Sequence, residues 1–243
     1  MKYVVLILNI LVLFIIILTG CNKRSPTEST PNTITDIDGN IYQTVKIGNQ
    51  VWMAENLKVT HYRNGDAIPY ETNDNDWAHL TTGAYCVYDI DVNNADTYGN
   101  FYNWYAINDN RNIAPPGWHV STDEDWKELE MFLGMSQEEA DDTISDRGTN
   151  EGSKIAGNAA LWLDGSLELN AAFGESGFSA LPAGFRNHGD GNFAGICRNA
   201  RFWTSTESVS IYSWYRVLHY NFSIITRANY DKRYGYSIRL VRD

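Results

Sequence analysis

The segment Asp89-Ile90-Asp91-Val92-Asn93-Asn94-Ala95-Asp96 sets oxygen-bearing side chains at alternate positions, the spacing by which a loop wraps a hard divalent cation. Asp89, Asp91, Asn93 and Asp96 are therefore a calcium candidate. The pattern is incomplete: Asn100 stands at the twelfth position, where a bidentate glutamate belongs, and no flanking helices are expected. An Asx-rich loop with no ion explains the same residues. Cys86 and Cys197 could form a disulfide in an oxidising compartment, provided their α-carbons approach to about 4.4–6.8 Å. His61, His79, His119, His188 and His219 lack metalloprotease spacing, and there are no zinc-ribbon cysteine pairs. Gly174-Glu175-Ser176-Gly177 misses a nucleophile elbow by one residue. Paired carboxylates are plentiful, and a glycosidase needs two of them about 5–9.5 Å apart. In Asp123-Glu124-Asp125, however, a helix start accounts for the charges. No catalytic set emerges.

Aromatic side chains offer a different chemistry. The 8 Trp, 15 Tyr and 9 Phe supply rigid rings of large area at small entropic cost, and neighbouring amides supply hydrogen bonds. Most of these rings are expected to fill a core. Tyr212, Tyr220, Phe222 and Tyr230 lie near turns, are expected to meet solvent, and are the candidate ligand-binding residues.

The elements that position these groups begin with a hairpin, Ile41 to Ile47 and then Val51-Trp52, joined at Gly48-Asn49. Asn64 to Asp96 reads as loops with a short strand over Ala84 to Tyr88. Ser121 and Glu124 have capping-box spacing, and Trp126, Leu129 and Leu133 then share one helical face up to Gly134. Ser136 and Glu139 open a second helix to about Ile144. Alternating segments at 202–206, 213–220, 224–230 and 236–241 predict an antiparallel meander at the carboxyl end. Hairpins, then one or two helices, then a meander give an α+β class.

Composition narrows the partners. Of 243 residues, 43% are hydrophobic, and 19 basic side chains face 30 acidic ones for a formal charge of −11. So many rings can offset chain entropy, which excludes low-complexity disorder. With no cluster of Lys and Arg, nucleic acid is not an expected partner.

The amino terminus carries an address. Lys2 precedes an almost wholly apolar run from Tyr3 to Leu18. About 16 residues span roughly 24 Å as a helix, short of a bilayer's hydrocarbon core, so a secretory signal fits better than a permanent span. Leu18-Thr19-Gly20-Cys21 resembles the lipobox of bacterial lipoproteins. That resemblance implies cleavage before Cys21, a diacylglycerol on its sulfur and acylation of its nitrogen, together a durable anchor. Residues 1–20 are then the signal peptide. Residues 21–35, rich in Ser, Thr and Pro, form a tether, and the folded domain is 36–243.

Five segments carry a second resemblance: Val51-Trp52-Met53-Ala54-Glu55-Asn56-Leu57, Tyr98-Gly99-Asn100-Phe101-Tyr102-Asn103-Trp104-Tyr105-Ala106, Pro116-Gly117-Trp118-His119-Val120, Leu181-Pro182-Ala183-Gly184-Phe185-Arg186, and Arg233-Tyr234-Gly235-Tyr236-Ser237-Ile238-Arg239. Together they resemble the Fibrobacter succinogenes major paralogous domain, common in lipoproteins of Bacteroidetes. The resemblance implies a fold similar to C-type lectin-like domains, and no activity. Members commonly carry cysteines where this chain has Ala114 and Leu240, which implies a lost bridge replaced by apolar contact. The calcium-binding motifs of sugar-binding lectins are missing. The carboxyl-terminal cysteines of the related formylglycine-generating enzymes are missing too.

The resulting expectation is a lipid-anchored module of the cell envelope, at the outer membrane, that binds glycan or protein without catalysis. Its partners are the membrane, through its acyl chains, and a glycan or envelope protein. Calcium is the one cofactor candidate. The alternatives are an envelope enzyme acting on polysaccharide with paired carboxylates, or a purely structural envelope protein.

Overall fold

The computed structural model describes residues 33–143 and 147–243, so the leader, Cys21 and nearly all of the tether lie outside the described residues. Residues 32–243 form one compact unit. Strand β1 (Thr33–Thr35) pairs antiparallel with β2 (Ile41–Ile47), setting buried Ile34 opposite buried Tyr42. The fold therefore starts three residues inside the expected tether, because Ile34 has a core to enter. Asp36 builds the turn between the strands. Its Oδ1 accepts the amides of Asp38 and Asn40, and its Oδ2 accepts the Tyr42 hydroxyl at 2.5 Å. Burial and this carboxylate both push the Tyr42 phenol up. Strand β3 (Gln50–Met53) completes the expected hairpin.

Two short antiparallel ribbons follow the hairpin: β4 (Tyr85–Cys86) with β5 (Phe101–Tyr102), and, beyond β6 (Trp118–Val120), β7 (Phe185–Arg186) with β8 (Phe193–Ala194). Strands β9 (Asn199–Val209), β10 (Tyr212–His219) and β11 (Phe222–Asp231) form the expected antiparallel meander. The closing strand β12 (Leu240–Arg242) departs from expectation. It leaves the meander and inserts between β3 and β6, giving a five-stranded sheet of order β1-β2-β3-β12-β6. Alternation of side chains cannot report this, since a strand's pattern shows that it has two faces and not which edge it joins.

Among the described residues six short helices lie between the strands: α1 (Asp74–Ala78), α2 (Asn94–Tyr98), α3 (Trp104–Ile107), α4 (Asp123–Phe132), α5 (Gln137–Asp141) and α6 (Glu151–Ile155). The capping box of α4 is set one residue later than its spacing suggested. Thr122 Oγ1 accepts the Asp125 amide at 3.0 Å, and Asp125 Oδ2 accepts the Thr122 amide at 2.7 Å. Ser121 is left to accept the Trp126 indole N–H. The box of α5, Ser136 with Glu139, forms as expected. The mixture is α+β. No helix among the described residues is long and apolar enough to cross a membrane.

Both sheets are packed on two faces. Trp52 and Met53, Phe202 and Trp203, and Leu240 and Val241 each send one member into each of two buried clusters, as the two-residue period of a strand requires. Trp52, Trp126 and Phe178 form a triangle of rings with centroids 5.3–5.4 Å apart. Ala114 and Leu240 lie in the same apolar cluster, consistent with contact in place of a bridge.

Helix α4 is fastened to the inner face of the meander by buried charge. Arg216 and Arg227 sit directly opposite on β10 and β11, a repulsive placement on its own. Asp123 lies between them, accepting from Arg216 Nη1 and from Arg227 Nη2, each at 2.7 Å. Glu130 takes Arg216 Nε at 2.6 Å and Arg147 Nη2 at 2.7 Å.

Candidate functional site

The opposite face of the meander is aromatic and partly open. Tyr215, Val217 and His219 alternate on β10, flanked by Trp203 and Arg201 on β9 and by Ala228 and Thr226 on β11. At one end a run of rings descends from solvent into the core. Tyr212 is 37% exposed and Tyr230 44%, with centroids 6.3 Å apart. Tyr230 meets buried Tyr234 at 4.9 Å, His188 lies 4.5 Å from Tyr234, and Tyr234 continues to Tyr236 at 5.2 Å. Burial pushes the His188 imidazole down, so it is neutral at pH 7, and its Nδ1 is buried with no hydrogen-bond partner. Beside this run the Arg201 guanidinium lies 3.7 Å above the Phe185 ring, its Nη1 donating to the Tyr236 hydroxyl at 3.2 Å. Rings that are exposed at one end and buttressed at the other lose little entropy when a ligand stacks on them.

The four sequence candidates divide between the two ends of the meander. Tyr212 and Tyr230 belong to the ring run. Tyr220 and Phe222 lie at the other end, each against His219, with centroids at 4.7 and 5.5 Å. Phe222 is 55% exposed, whereas Tyr220 is half-buried. The contributions of His188, Phe185 and Tyr234 escape sequence reading because they come from segments outside the meander, and that of Arg201 on β9 because its place over Phe185 depends on one of those segments. Phe185 and Tyr234 lie in, and His188 beside, the Leu181 to Arg186 and Arg233 to Arg239 motifs, whereas Arg201, on β9, lies outside both.

The calcium candidates do not converge. Asp91 Oδ1 accepts the amide and the side-chain Nδ2 of Asn93, an Asx turn, and Asp96 points to Lys58 at 4.0 Å. Asp89 sits in left-handed backbone at φ 54°. Among the described residues no group of three or more His, Cys, Asp or Glu side chains is placed to hold a metal ion. The disulfide expectation is likewise corrected: Cys86 and Cys197 are free thiols. Cys86 is wholly buried beside Arg186, and burial pushes its thiol up to about 12. Cys197 lies on a loop at φ 61°, its amide bound to the Pro182 carbonyl. Close carboxylates share cations: Arg111 bridges Asp66 and Asp109, and His119 bridges Asp125 and Asp243.

The segments that carried the family resemblance fold mainly inward. Arg239 is fully buried and donates to the carbonyls of Met53, Phe178 and Ser179 and to Asn56 Oδ1, all at 2.7–2.8 Å. Asn56 in turn donates to the Tyr98 carbonyl at 2.8 Å. Gly99 (φ 72°) must be glycine, since a Cβ there would lie 2.7 Å from Asn56 Cβ. Arg186, also buried, ties the loop 71–74 through the Glu71 carbonyl at 2.6 Å and Asp74 at 2.8 Å. A cleft of about 290 Å³, lined by Gln43, Glu55, Asn56, Lys58 and Asp96, opens beside the Asn56 junction.

The motif residues of this α+β domain build a buried scaffold and leave one face of the meander lined with rings. The chain belongs to the Fibrobacter succinogenes major domain family, whose model matches residues 45–242. No curated protein and no solved structure matches it.

Proposed function

We propose that this chain is a non-catalytic binding module of the cell envelope, of C-type lectin-like shape, anchored at the outer membrane by acyl chains on Cys21. The observation that carries the binding role is the unbroken run of rings from exposed Tyr212 and Tyr230 to buried Tyr236. A sugar ring or an apolar side chain laid on Tyr230 would gain area against a surface that is already ordered. The lipobox at Leu18 to Cys21 supports the anchor, and the Ser/Thr/Pro-rich residues that follow support a domain held clear of the bilayer.

Residues 32–243, a compact unit with its own cores, are the material for a glycan array. Retention of a glycan by this fragment and its loss in Tyr230→Ala are the expected results. Equal retention by the variant, or retention of no glycan, counts against the reading. For the anchor, mass spectrometry of the native protein should find a diacylated Cys21 as the first residue; a bare thiol there, or an intact leader, removes the envelope assignment.

A further inference from the structure

Two cations beside the rings of the meander, Arg198 and Arg201, have no carboxylate of the described residues within ion-pair distance. Arg111, Arg147, Arg186, Arg216, Arg227 and Arg233 each pair with a carboxylate within 4.0 Å. Among the described residues Arg63, Arg198, Arg201, Arg239 and Arg242 have no such partner; Arg63 and Arg239 give their donors to main-chain carbonyls, whereas Arg198 and Arg201 lie over rings beside the meander. Arg201 is held in place by Phe185 and the Tyr236 hydroxyl, and its Nε is buried with no hydrogen-bond partner. Arg198 is exposed, with its guanidinium carbon 5.9 Å from the Tyr220 ring. His219 stands close enough to both that, after burial, these two charges are what push its imidazole down. Arg201 and Tyr230 share the sheet face of Tyr215 and Val217, Tyr212 meets Tyr230 ring to ring, and Arg198 lies just before β9, over Tyr220. Arg201 is level with Val217 and Thr226, and Tyr230 lies four residues further along β11, about 13 Å away.

We propose that this face binds an acidic polysaccharide, with sugar carboxylates on Arg198 and Arg201 and pyranose rings on Tyr212 and Tyr230. The inference rests on the binding role proposed above and adds the ligand's chemical class. A guanidinium fixed on an aromatic ring presents planar donors to a carboxylate at little entropic cost, the arrangement in which arginine outperforms lysine. An overall acidic chain repels polyanions elsewhere, so a local cationic strip selects where such a polymer can lie. Two exposed tyrosines in series suit consecutive flat sugar faces better than the irregular side chains of an acidic peptide.

The test is calorimetric titration of the full chain in detergent micelles. The probes are oligogalacturonate and alginate oligomers, a neutral galactose oligomer of equal length, and poly-glutamate. Wild type should bind at least one of the uronates, more tightly than the neutral oligomer or poly-glutamate. Arg198→Gln, an exposed change, and Arg201→Gln should each weaken uronate binding about tenfold, the usual consequence of losing a hydrogen bond to a charged group. Arg201→Lys should recover only part of that loss, and Tyr230→Ala should weaken uronate and any neutral binding alike. If the neutral oligomer binds as tightly as the uronates and the arginine variants change nothing, the acidic ligand is wrong while the glycan-binding role stands. Poly-glutamate bound as tightly as uronate overturns the inference in favour of an acidic peptide. Binding of none of the four probes overturns the inference, and the glycan-binding role is then decided separately by the array.

Discussion

Asn56 and Arg239 are 183 residues apart in sequence and share a buried 2.8 Å hydrogen bond. Through that bond the end of the first hairpin, the Tyr98 turn and the closing segment become one junction. Arg239 spends its donors on main-chain carbonyls rather than on a carboxylate. It acts as a cross-brace that ties the paired strands β3 and β12 to the Phe178-Ser179 loop, which pairs with neither.

Arg239→Leu should therefore destabilise the fold by about 3–5 kcal/mol, since it strands several buried acceptors, each costing about 1–3 kcal/mol when left unsatisfied. Urea denaturation checks this. A loss below about 1 kcal/mol, the worth of one ordinary hydrogen bond, would show that the carbonyls find other donors.

Gly99→Ala and Gly39→Ala separate crowding from backbone conformation. Both glycines have positive φ, at 72° and 84°, but only Gly99 is crowded, whereas a Cβ on Gly39 meets nothing within 4 Å. Gly39→Ala should cost about 1 kcal/mol for the left-handed backbone alone. Gly99→Ala should cost about 2–3 kcal/mol more, because the Asn56 backbone must move. Equal melting temperatures for the two variants would contradict this account.

Asp123 makes stability depend on acid. Burial pushes its carboxyl up, but Arg227 and Arg216 outweigh burial and hold it at about 2. Its folded value is below its ordinary one, so its contribution is complete above about pH 4 and is lost as pH falls through about 2. Asp123→Asn should cost about 3–5 kcal/mol at pH 7 by stranding the two arginines. The variant should also show a shallower fall in melting temperature between pH 4 and pH 2. An unchanged acid slope would place the sensitivity elsewhere.

His119 gives the opposite dependence. The Asp125 carboxylate, with Asp243 on its other nitrogen, raises the imidazole to about 9 against the opposing effect of burial. A raised folded value means the stabilisation is complete below about pH 6.5 and is lost as pH rises through about 9. The ring is 37% exposed, so solvent screening limits the effect to about 1 kcal/mol or less. His119→Gln should flatten the decline in melting temperature between pH 6.5 and pH 9.5, and a slope equal to wild type would exclude His119 as its source.

Local pattern determined a good deal of this protein. The hairpin at 41–53, the meander at 199–231, the α5 capping box and the α+β class were all legible, because strand alternation and caps are set by neighbours within a few residues. The exposure of Tyr212, Phe222 and Tyr230 followed from their nearness to turns. Tertiary structure alone decided which edge β12 joins, that Thr33–Thr35 belongs to the sheet, and that Cys86 and Cys197 stay apart as thiols. It also brought Arg201, His188 and Phe185 to the tyrosines of the meander, and scattered the acidic side chains of 89–96. Each of these depends on contacts between segments remote in the chain, where the energy of packing and of buried polar groups outweighs any preference a short stretch can express.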